Sequence, residues 1–315
     1  MAVSEVTPHS PNHQSARPLL GICLKVGATF AFTIMAVIAR KLGQSIPVGE
    51  VVFFRSAFAF LPLFVWMVMR GIGVASLKTA HPWMHARRAF TGVCAMFTYF
   101  SALMFLPVAD LTAIGFTSPL IVVMLAATML GETVRGYRWS AVGVGFLGVL
   151  LMAWPHISGE YGDGAWVGVV LAFVNAVFVS FTMIFIRSMS GTEPALTIAF
   201  YFQFSCAAVS ALTLPFVWVS PESGQLFMLI GLGILGGIGQ LLMTNSYRFA
   251  PASTLANFDY AAMIWAIILG WIFFSETPHP SVYAGAAIVI GSGLFIAWRE
   301  RQLELKEAAG AVSSA

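Results

Sequence analysis

Charged residues are scarce in this chain: they make up only 9% of its 315 residues, whereas 59% are hydrophobic. A soluble domain ordinarily carries about a quarter charged residues, so this chain is unable to cover itself with a solvated surface. Its net charge of +3 is small and spread along the sequence, which argues against nucleic acid as a partner. The composition predicts a protein whose solvent is membrane lipid.

Cysteine is also rare, and the three present, Cys23, Cys94 and Cys206, fall inside apolar runs without disulfide or metal-site spacing. The sequence contains no Gly-x-Ser-x-Gly, no His-Glu-x-x-His and no paired intramembrane Asp motif. His81 and His85 lie four apart in "HPWMH", but the further ligands of a metal site are missing. We therefore predict no enzyme, no cofactor and no metal site.

Long apolar runs dominate the chain instead. A membrane-spanning helix needs about 20 mostly apolar residues, and ten runs meet that length: approximately 19–40, 50–69, 88–106, 109–129, 139–155, 165–187, 195–218, 226–248, 253–274 and 281–299. Short loops with turn or charged residues separate them, so no soluble catalytic domain fits between the spans. The predicted fold class is an all-α integral membrane protein with ten transmembrane helices.

The basic residues predict the orientation. With the N-terminus in the cytoplasm, twelve of the 16 Lys and Arg residues lie inside, two (Arg40 and Lys41) lie outside, and Lys25 and Arg55 lie within spans. Residues 1–18 lack the features of a secretory signal and are predicted to be a disordered cytoplasmic tail, with a second cytoplasmic tail at 300–315. We expect a multi-pass protein of a bacterial inner membrane with both termini in the cytoplasm.

The sequence repeats itself. In the later part of each half, the matching residues are 144 positions apart: Pro107/Pro251, Glu132/Glu276, Thr133/Thr277 and Trp154/Trp298. In the first part of each half, they are 147 positions apart: Gly21/Gly168, Arg40/Arg187 and Pro47/Pro194. The two halves, 19–155 and 165–299, hold five spans each, and an odd number of spans inverts the second half relative to the first. Inverted repeats are characteristic of secondary transporters, which bind substrate near the midplane between the halves.

Two corresponding stretches carry a resemblance to a known family. "LPVADLTAIGFTSPLIVVMLAATMLGET" and "FAPASTLANFDYAAMIWAIILGWIFFSET" share a Pro-containing turn, an apolar helix and a final "GET" or "SET", each followed by a Gly-rich helix. Together with "FFRS" in the second span, they resemble the EamA family of the drug/metabolite transporter superfamily. The resemblance covers about residues 19–300 and implies transport of a small-molecule metabolite. The "VGEVVFFRS" stretch looks most like members associated with riboflavin or S-adenosylmethionine uptake.

Three ionisable residues lie inside predicted spans: Lys25, Arg55 and Asp259. Such residues usually face a cavity or a partner, and Lys25 and Asp259 are predicted at similar depth, where an ion pair or a role in coupling is possible. Two interpretations of Arg55 stay open. It faces the cavity and gates it or binds substrate, or it extends to the outer headgroups, to helix-end carbonyls or to Glu50.

Polar and aromatic side chains suggest a path lined mainly by the second half. Asp259 is also a candidate for substrate binding or gating, as Arg55 is, and we add the uncharged residues Tyr99, Asn175, Tyr201, Gln203, Gln240, Asn257 and Tyr260. Each has the alternative of joining helices or packing. Gly233 and Gly237 form a Gly-x-x-x-Gly pattern that predicts close helix approach.

These patterns favour a secondary transporter of a small organic metabolite that works by alternating access. With few charges in the expected cavity, a neutral or zwitterionic, partly aromatic substrate fits better than a multiply anionic one, and riboflavin uptake is the best specific hypothesis. Amino acids, nucleosides and S-adenosylmethionine-like metabolites are the alternatives. A membrane-embedded enzyme and a channel are less consistent with the sequence. Direction, coupling ion and oligomeric state stay open.

Overall fold

The computed structural model describes residues 18–129, 136–160, 162, 164–189, 192–250 and 252–313. These residues form twelve α-helices: α1 (Pro18–Leu42), α2 (Val48–Met69), α3 (Pro82–Ala102), α4 (Val108–Gly115), α5 (Ser118–Met129), α6 (Gly136–Ile157), α7 (Ala165–Met189), α8 (Ala195–Val217), α9 (Ser223–Ser246), α10 (Ala252–Leu255), α11 (Ala261–Phe274) and α12 (Pro280–Ser313). Short 3₁₀ segments cover Val74–Leu77 and Ala256–Tyr260. Outside the described residues lie the predicted N-terminal tail, apart from Pro18, and the repeat residues Glu132, Thr133 and Pro251.

The fourth spans predicted at 109–129 and 253–274 are present as segments long and apolar enough to cross a membrane, but each is interrupted rather than one continuous helix. In the first half, α4 ends at Gly115 and α5 begins at Ser118; Pro119 has no N–H to donate to the carbonyl oxygen of Gly115, four residues earlier, and its ring clashes with that carbonyl, so the helix is interrupted there. In the second half, the 3₁₀ segment Ala256–Tyr260 occupies the corresponding place. Discontinuous spans at matching positions of two repeats mark the binding region in many transporters.

The third span begins earlier than predicted. We expected a span at 88–106, but α3 begins at Pro82, a favourable first residue for a helix. His85, Arg87 and Arg88 had suggested a loop, yet they occupy the first two turns of this helix. At the other end of the chain, α12 continues past the predicted span to Ser313, through a run rich in Glu, Arg, Leu and Ala that favours helix.

The two halves interlock around a central axis. The packing contacts connect the helices into a closed ring. Its order is α2, α9, α1, α11, then α4 and α5 together, then α7, α3, α8 and again α2. The fifth helices, α6 and α12, pack on each other beside α4 and α5. If each helix is replaced by its counterpart in the other half, every helix contact in the ring becomes a contact in the same ring. The contact of α1 with α9, for example, becomes that of α7 with α3, and the contact of α2 with α8 is unchanged. The protein is therefore built from two repeats related by a two-fold axis, as the sequence predicted.

Glycines allow the closest helix contacts. A Cβ on Gly233 would lie 2.7 Å from the carbonyl oxygen of Phe54, and one on Gly237 would lie 2.7 Å from that of Ala59, both on α2. The predicted close approach of α9 through these two glycines is confirmed. The fifth helices use the same device, since a Cβ on Gly148 of α6 would lie 2.8 Å from the carbonyl oxygen of Gly285 on α12.

The outer surface is apolar, as lipid requires. Large side chains such as Leu147, Phe216 and Phe227 are mostly exposed on the outside of the bundle, where water would be unfavourable. Within the described ranges, nine helical segments are long and apolar enough to cross a membrane. α3, with 21 residues, is also long enough to cross a membrane. The polar residues in its first turns lower its mean hydropathy. The chain is a multi-pass membrane protein.

Candidate functional site

Residues that are equivalent in the two halves touch at the centre of the molecule. Arg55 on α2 lies over Phe202 on α8, its counterpart at the offset of 147, with 5.8 Å between the guanidinium carbon and the ring centre. Phe116 and Tyr260, counterparts at the offset of 144, stand edge to face with ring centres 5.1 Å apart. Contacts between equivalent residues occur where a two-fold axis passes. Both halves therefore contribute side chains to this central region, the place where inverted-repeat transporters bind substrate.

Arg55 points into the bundle. Its side chain is 3% exposed, and Nη1 donates a hydrogen bond to Oε1 of Gln203. The nearby Glu50 is engaged elsewhere, since its Oε2 accepts a hydrogen bond from the backbone N–H of Val219. Nε of Arg55 has no hydrogen-bond partner among the described residues. The geometry thus places the guanidinium in the interior rather than at the headgroups or against Glu50.

Arg88 is the main functional candidate that the sequence did not reveal. It was counted among the cytoplasmic bases, but in the structure it is only 7% exposed, and its guanidinium carbon lies 4.3 Å from the centre of the Phe202 ring. Nε and Nη1 find no acceptor within the described part of the chain. The glycine at position 92, one turn further along α3, leaves the space that this side chain fills. In the sequence, the indication that the Arg88 side chain packs along α3 was the glycine four residues later, at position 92.

A cluster of opposite charge lies at the break in the second half. Nζ of Lys25, which is fully buried on α1, lies 2.7 Å from Oδ1 of Asp259, whose side chain is 44% exposed. Nζ also donates a hydrogen bond to the hydroxyl of Tyr247 over 3.3 Å. The 3₁₀ geometry of the broken helix presents the carboxylate to both the lysine and open space. The structure therefore brings Lys25 and Asp259 together, as their depth in the sequence suggested.

The remaining candidates divide into two groups. Asn175 joins helices, because its Nδ2 donates to the carbonyl oxygen of Ala95 on α3 over 2.7 Å. Tyr99 is half-buried and packs against its neighbour Phe100. Asn257 is exposed, next to Asp259. The structure gives none of these three a contact with Arg55 or Arg88.

Tyr201 and Gln240 lie closer to the central residues. The ring of Tyr201, adjacent to Phe202, packs on the imidazole of His85 with centres 4.5 Å apart. Gln240 lines a cleft of about 600 Å³ between α2, α8 and α9, together with Leu63 and Trp66. One turn along α9 from Gln240, a Cβ on Gly236 would lie 3.2 Å from Nε of Arg55. The cleft therefore reaches to within one helical turn of the buried guanidinium.

Ionic contacts connect the halves at one end of the bundle. Arg40, at the end of α1, forms an ion pair with Glu276 and a hydrogen bond with the carbonyl oxygen of Leu106. Nearby, Nε2 of His156 lies 2.9 Å from Oδ2 of Asp110, and both side chains are buried. Burial raises the pKa of Glu276, Asp110 raises it further, and Arg40 opposes the shift. Sequence reasoning missed Asp110 and His156 because both adjoin predicted loops.

A second polar cluster lies at the opposite end of α3. The Thr79 hydroxyl donates to Oε1 of Glu193 over 2.6 Å, and Nε2 of His85 lies 3.5 Å from Oε2 of the same carboxylate. The pKa of Glu193 is lowered, first by the hydrogen bond from Thr79 and also by His85. Glu193 is therefore held charged between α7 and α8, with its oxygens already used. In the described ranges, no three His, Cys, Asp or Glu side chains converge into a metal-binding group.

Comparison with known proteins agrees with this architecture. A family model described as the EamA-like transporter family matches residues 19–154 and again residues 166–298. A solved crystal structure superimposes with a TM-score of 0.64 at 22% identity, covering 90% of this chain and 98% of the other, which shows a shared fold.

Three relatives are transporters of different compounds. A pseudopaline exporter of Pseudomonas aeruginosa strain UCBPP-PA14 is 29% identical, over 86% of this chain and 93% of the relative. A riboflavin transporter of Rhizobium johnstonii is 26% identical, over 94% and 96%. An S-adenosylmethionine uptake transporter of Rickettsia prowazekii is 28% identical, over 90% and 94%. The chain belongs to the EamA-like transporter family, whose members carry small metabolites across membranes and are not enzymes.

Proposed function

We propose that this protein is a secondary transporter of a bacterial inner membrane, with both termini in the cytoplasm, that moves a small organic metabolite by alternating access. The observation that carries the proposal is the meeting of equivalent residues, Arg55 with Phe202 and Phe116 with Tyr260, at the axis between the halves. A site shared by two inverted repeats becomes accessible from either side when one half tilts against the other. The site residues that we propose are Arg55, Gln203, Asp259 and Tyr260, joined by Arg88.

The ends of the bundle support the same mechanism. Arg40 and Glu276 connect the first half to the second at one end, and the repeat makes Arg187 and Glu132 their sequence counterparts at the other. Two halves that tilt must break and reform contacts between them at each end. We propose that Arg40 and Glu276 close the site on the external side.

Riboflavin uptake remains one candidate activity, supported by a relative with that name and by the aromatic side chains around the axis. S-adenosylmethionine and pseudopaline have equal support from the names of relatives. Riboflavin is uncharged, so its binding would leave Arg55 and Arg88 without a counter-charge. A second groove, of about 500 Å³ beside α2, is lined by apolar side chains and fits a lipid tail better than a metabolite.

Transport by purified protein in proteoliposomes tests the proposal. We expect saturable uptake of at least one of three labelled compounds: riboflavin, S-adenosylmethionine or an aromatic amino acid. Arg55→Ala should reduce the rate by about tenfold or more, because a central binding group is lost. Arg70→Ala, which removes an exposed base at the end of the same helix, should transport normally. Equal rates for the two variants would show that Arg55 has no part in transport.

A further inference from the structure

We propose that Arg55 and Arg88 form a binding site for a carboxylate, and hence that the transported metabolite carries a carboxylate group. This inference rests on the proposed transport function and names its substrate class. Both guanidiniums lie against one ring, that of Phe202, at 5.8 and 4.3 Å from its centre. The corrected start of α3 places the second of these charges inside the bundle, which reverses the expectation of a site with few charges.

The two positive charges have no counter-charge in the described part of the chain. Neither arginine has a carboxylate within ion-pair distance there. Two acids on neighbouring segments have other partners: Oε2 of Glu50 accepts from the N–H of Val219, and Glu193 is held by Thr79 and His85. One base at the centre of a bilayer already costs about 3 kcal/mol on insertion scales. Two of them sharing one ring repel each other, so an anion is the ligand that this arrangement lacks.

Hydrogen-bond donors are available for that anion. Nε of Arg55 and both Nε and Nη1 of Arg88 have no acceptor among the described residues, although both side chains are more than nine-tenths buried. A guanidinium presents its N–H groups as a planar fork that matches the two oxygens of a carboxylate. Gln203 holds Arg55 through Nη1 and leaves Nε unengaged. The ring of Phe202 stabilises both cations from one side, so the donors are ordered before the ligand arrives.

A cleft approaches the pair. Gln240, which lines the cleft between α2, α8 and α9, lies one turn along α9 from Gly236, against which Nε of Arg55 lies. Its lining mixes apolar side chains such as Leu63 and Trp66 with the amides of Gln240 and Asn245. This mixture suits a metabolite that has an apolar or planar part beside its carboxylate.

Binding of two matched probes tests the site. Benzoate and benzamide have nearly the same size and ring, but only benzoate carries a carboxylate. By calorimetry on the purified protein in detergent, we expect benzoate to bind at least about tenfold more tightly than benzamide. Arg55→Gln and Arg88→Gln should each remove that preference, whereas Arg70→Gln should keep it. Arg88→Lys keeps the charge without the fork and should bind benzoate about tenfold less tightly than the wild-type protein.

Failure of this inference is separable from failure of the transport function. Equal affinity for benzoate and benzamide in the wild-type protein, no benzoate binding, or a benzoate preference that survives in Arg88→Gln would overturn the carboxylate site. If a glutamine variant does not fold, as judged by gel filtration, Arg88→Lys decides by itself, and unchanged benzoate affinity there contradicts the proposal. Saturable transport of riboflavin or another uncharged compound would keep the transporter while rejecting the carboxylate requirement.

Discussion

Asp259→Asn is expected to lower the free energy of unfolding by about 3 kcal/mol, more than any other change at the ion pair with Lys25. The reason is unequal burial. Lys25 is fully buried, whereas the side chain of Asp259 is 44% exposed and lies 2.7 Å away. Removing the carboxylate strands a buried ammonium, which typically costs about 3–5 kcal/mol. Removing the lysine leaves a carboxylate that water reaches, so Lys25→Met should cost only about 1 kcal/mol.

Denaturation of the purified variants in mixed micelles, followed by tryptophan fluorescence, measures this difference. The double variant, Lys25→Met with Asp259→Asn, should recover most of the lost stability, because no charge is then left unpaired. If Lys25→Met proves to be the more damaging single change, the assigned burial is wrong. The double variant also separates two roles. Normal transport by it would make the pair structural, and loss of transport in a stable protein would assign it to coupling or gating.

Gly237→Ala is the second change with a large expected effect. A Cβ at this position would lie 2.7 Å from the carbonyl oxygen of Ala59 and would also meet Pro62, so backbone of α2 has to move. Strain of this kind commonly costs about 1–3 kcal/mol. Since α2 carries Arg55, we expect transport to fall together with stability. The added methyl group would then impair the site through the backbone of Ala59, which lies one turn from Arg55 on α2.

Gly231→Ala on the same helix is the matched control. No atom lies within 4 Å of a Cβ placed there, and alanine favours helix over glycine by up to about 1 kcal/mol. This variant should be as stable as the wild-type protein or more so, with normal transport. Thermal unfolding of both variants in the same detergent gives the comparison, and similar melting temperatures would contradict the close packing of α9 on α2.

The sequence predicted the helices more reliably than the faces they present. The spans, the two repeats and the close approach at Gly233 and Gly237 followed from hydropathy, register and small-residue spacing. In a membrane helix, however, the lipid-facing and inward-facing sides are both apolar. The periodicity of apolar residues therefore gives little information on which side chains face the interior of the bundle. That is why the interior position of Arg55 needed the structure.

The misplaced elements have local causes. Arg88 resembled a cytoplasmic anchor because basic residues accumulate at inner helix ends, and only its packing on Phe202 shows otherwise. The breaks in the fourth spans lie within mostly apolar runs, where the local signals were Pro119 in the first half and the polar pair Asn257 and Asp259 in the second. Asp110 and His156 adjoin loops in the sequence, and they pair only because α4 packs on α6.

Counterflow in proteoliposomes tests alternating access most directly. The substrate is the compound that shows saturable uptake. Vesicles loaded with an excess of this compound in unlabelled form are diluted into a buffer that contains a trace of the same compound in labelled form. A carrier with one site open to either side in turn predicts a transient accumulation of label above equilibrium, and Arg55→Ala should abolish it. Flux that rises linearly with concentration and never overshoots would contradict the account and indicate a channel.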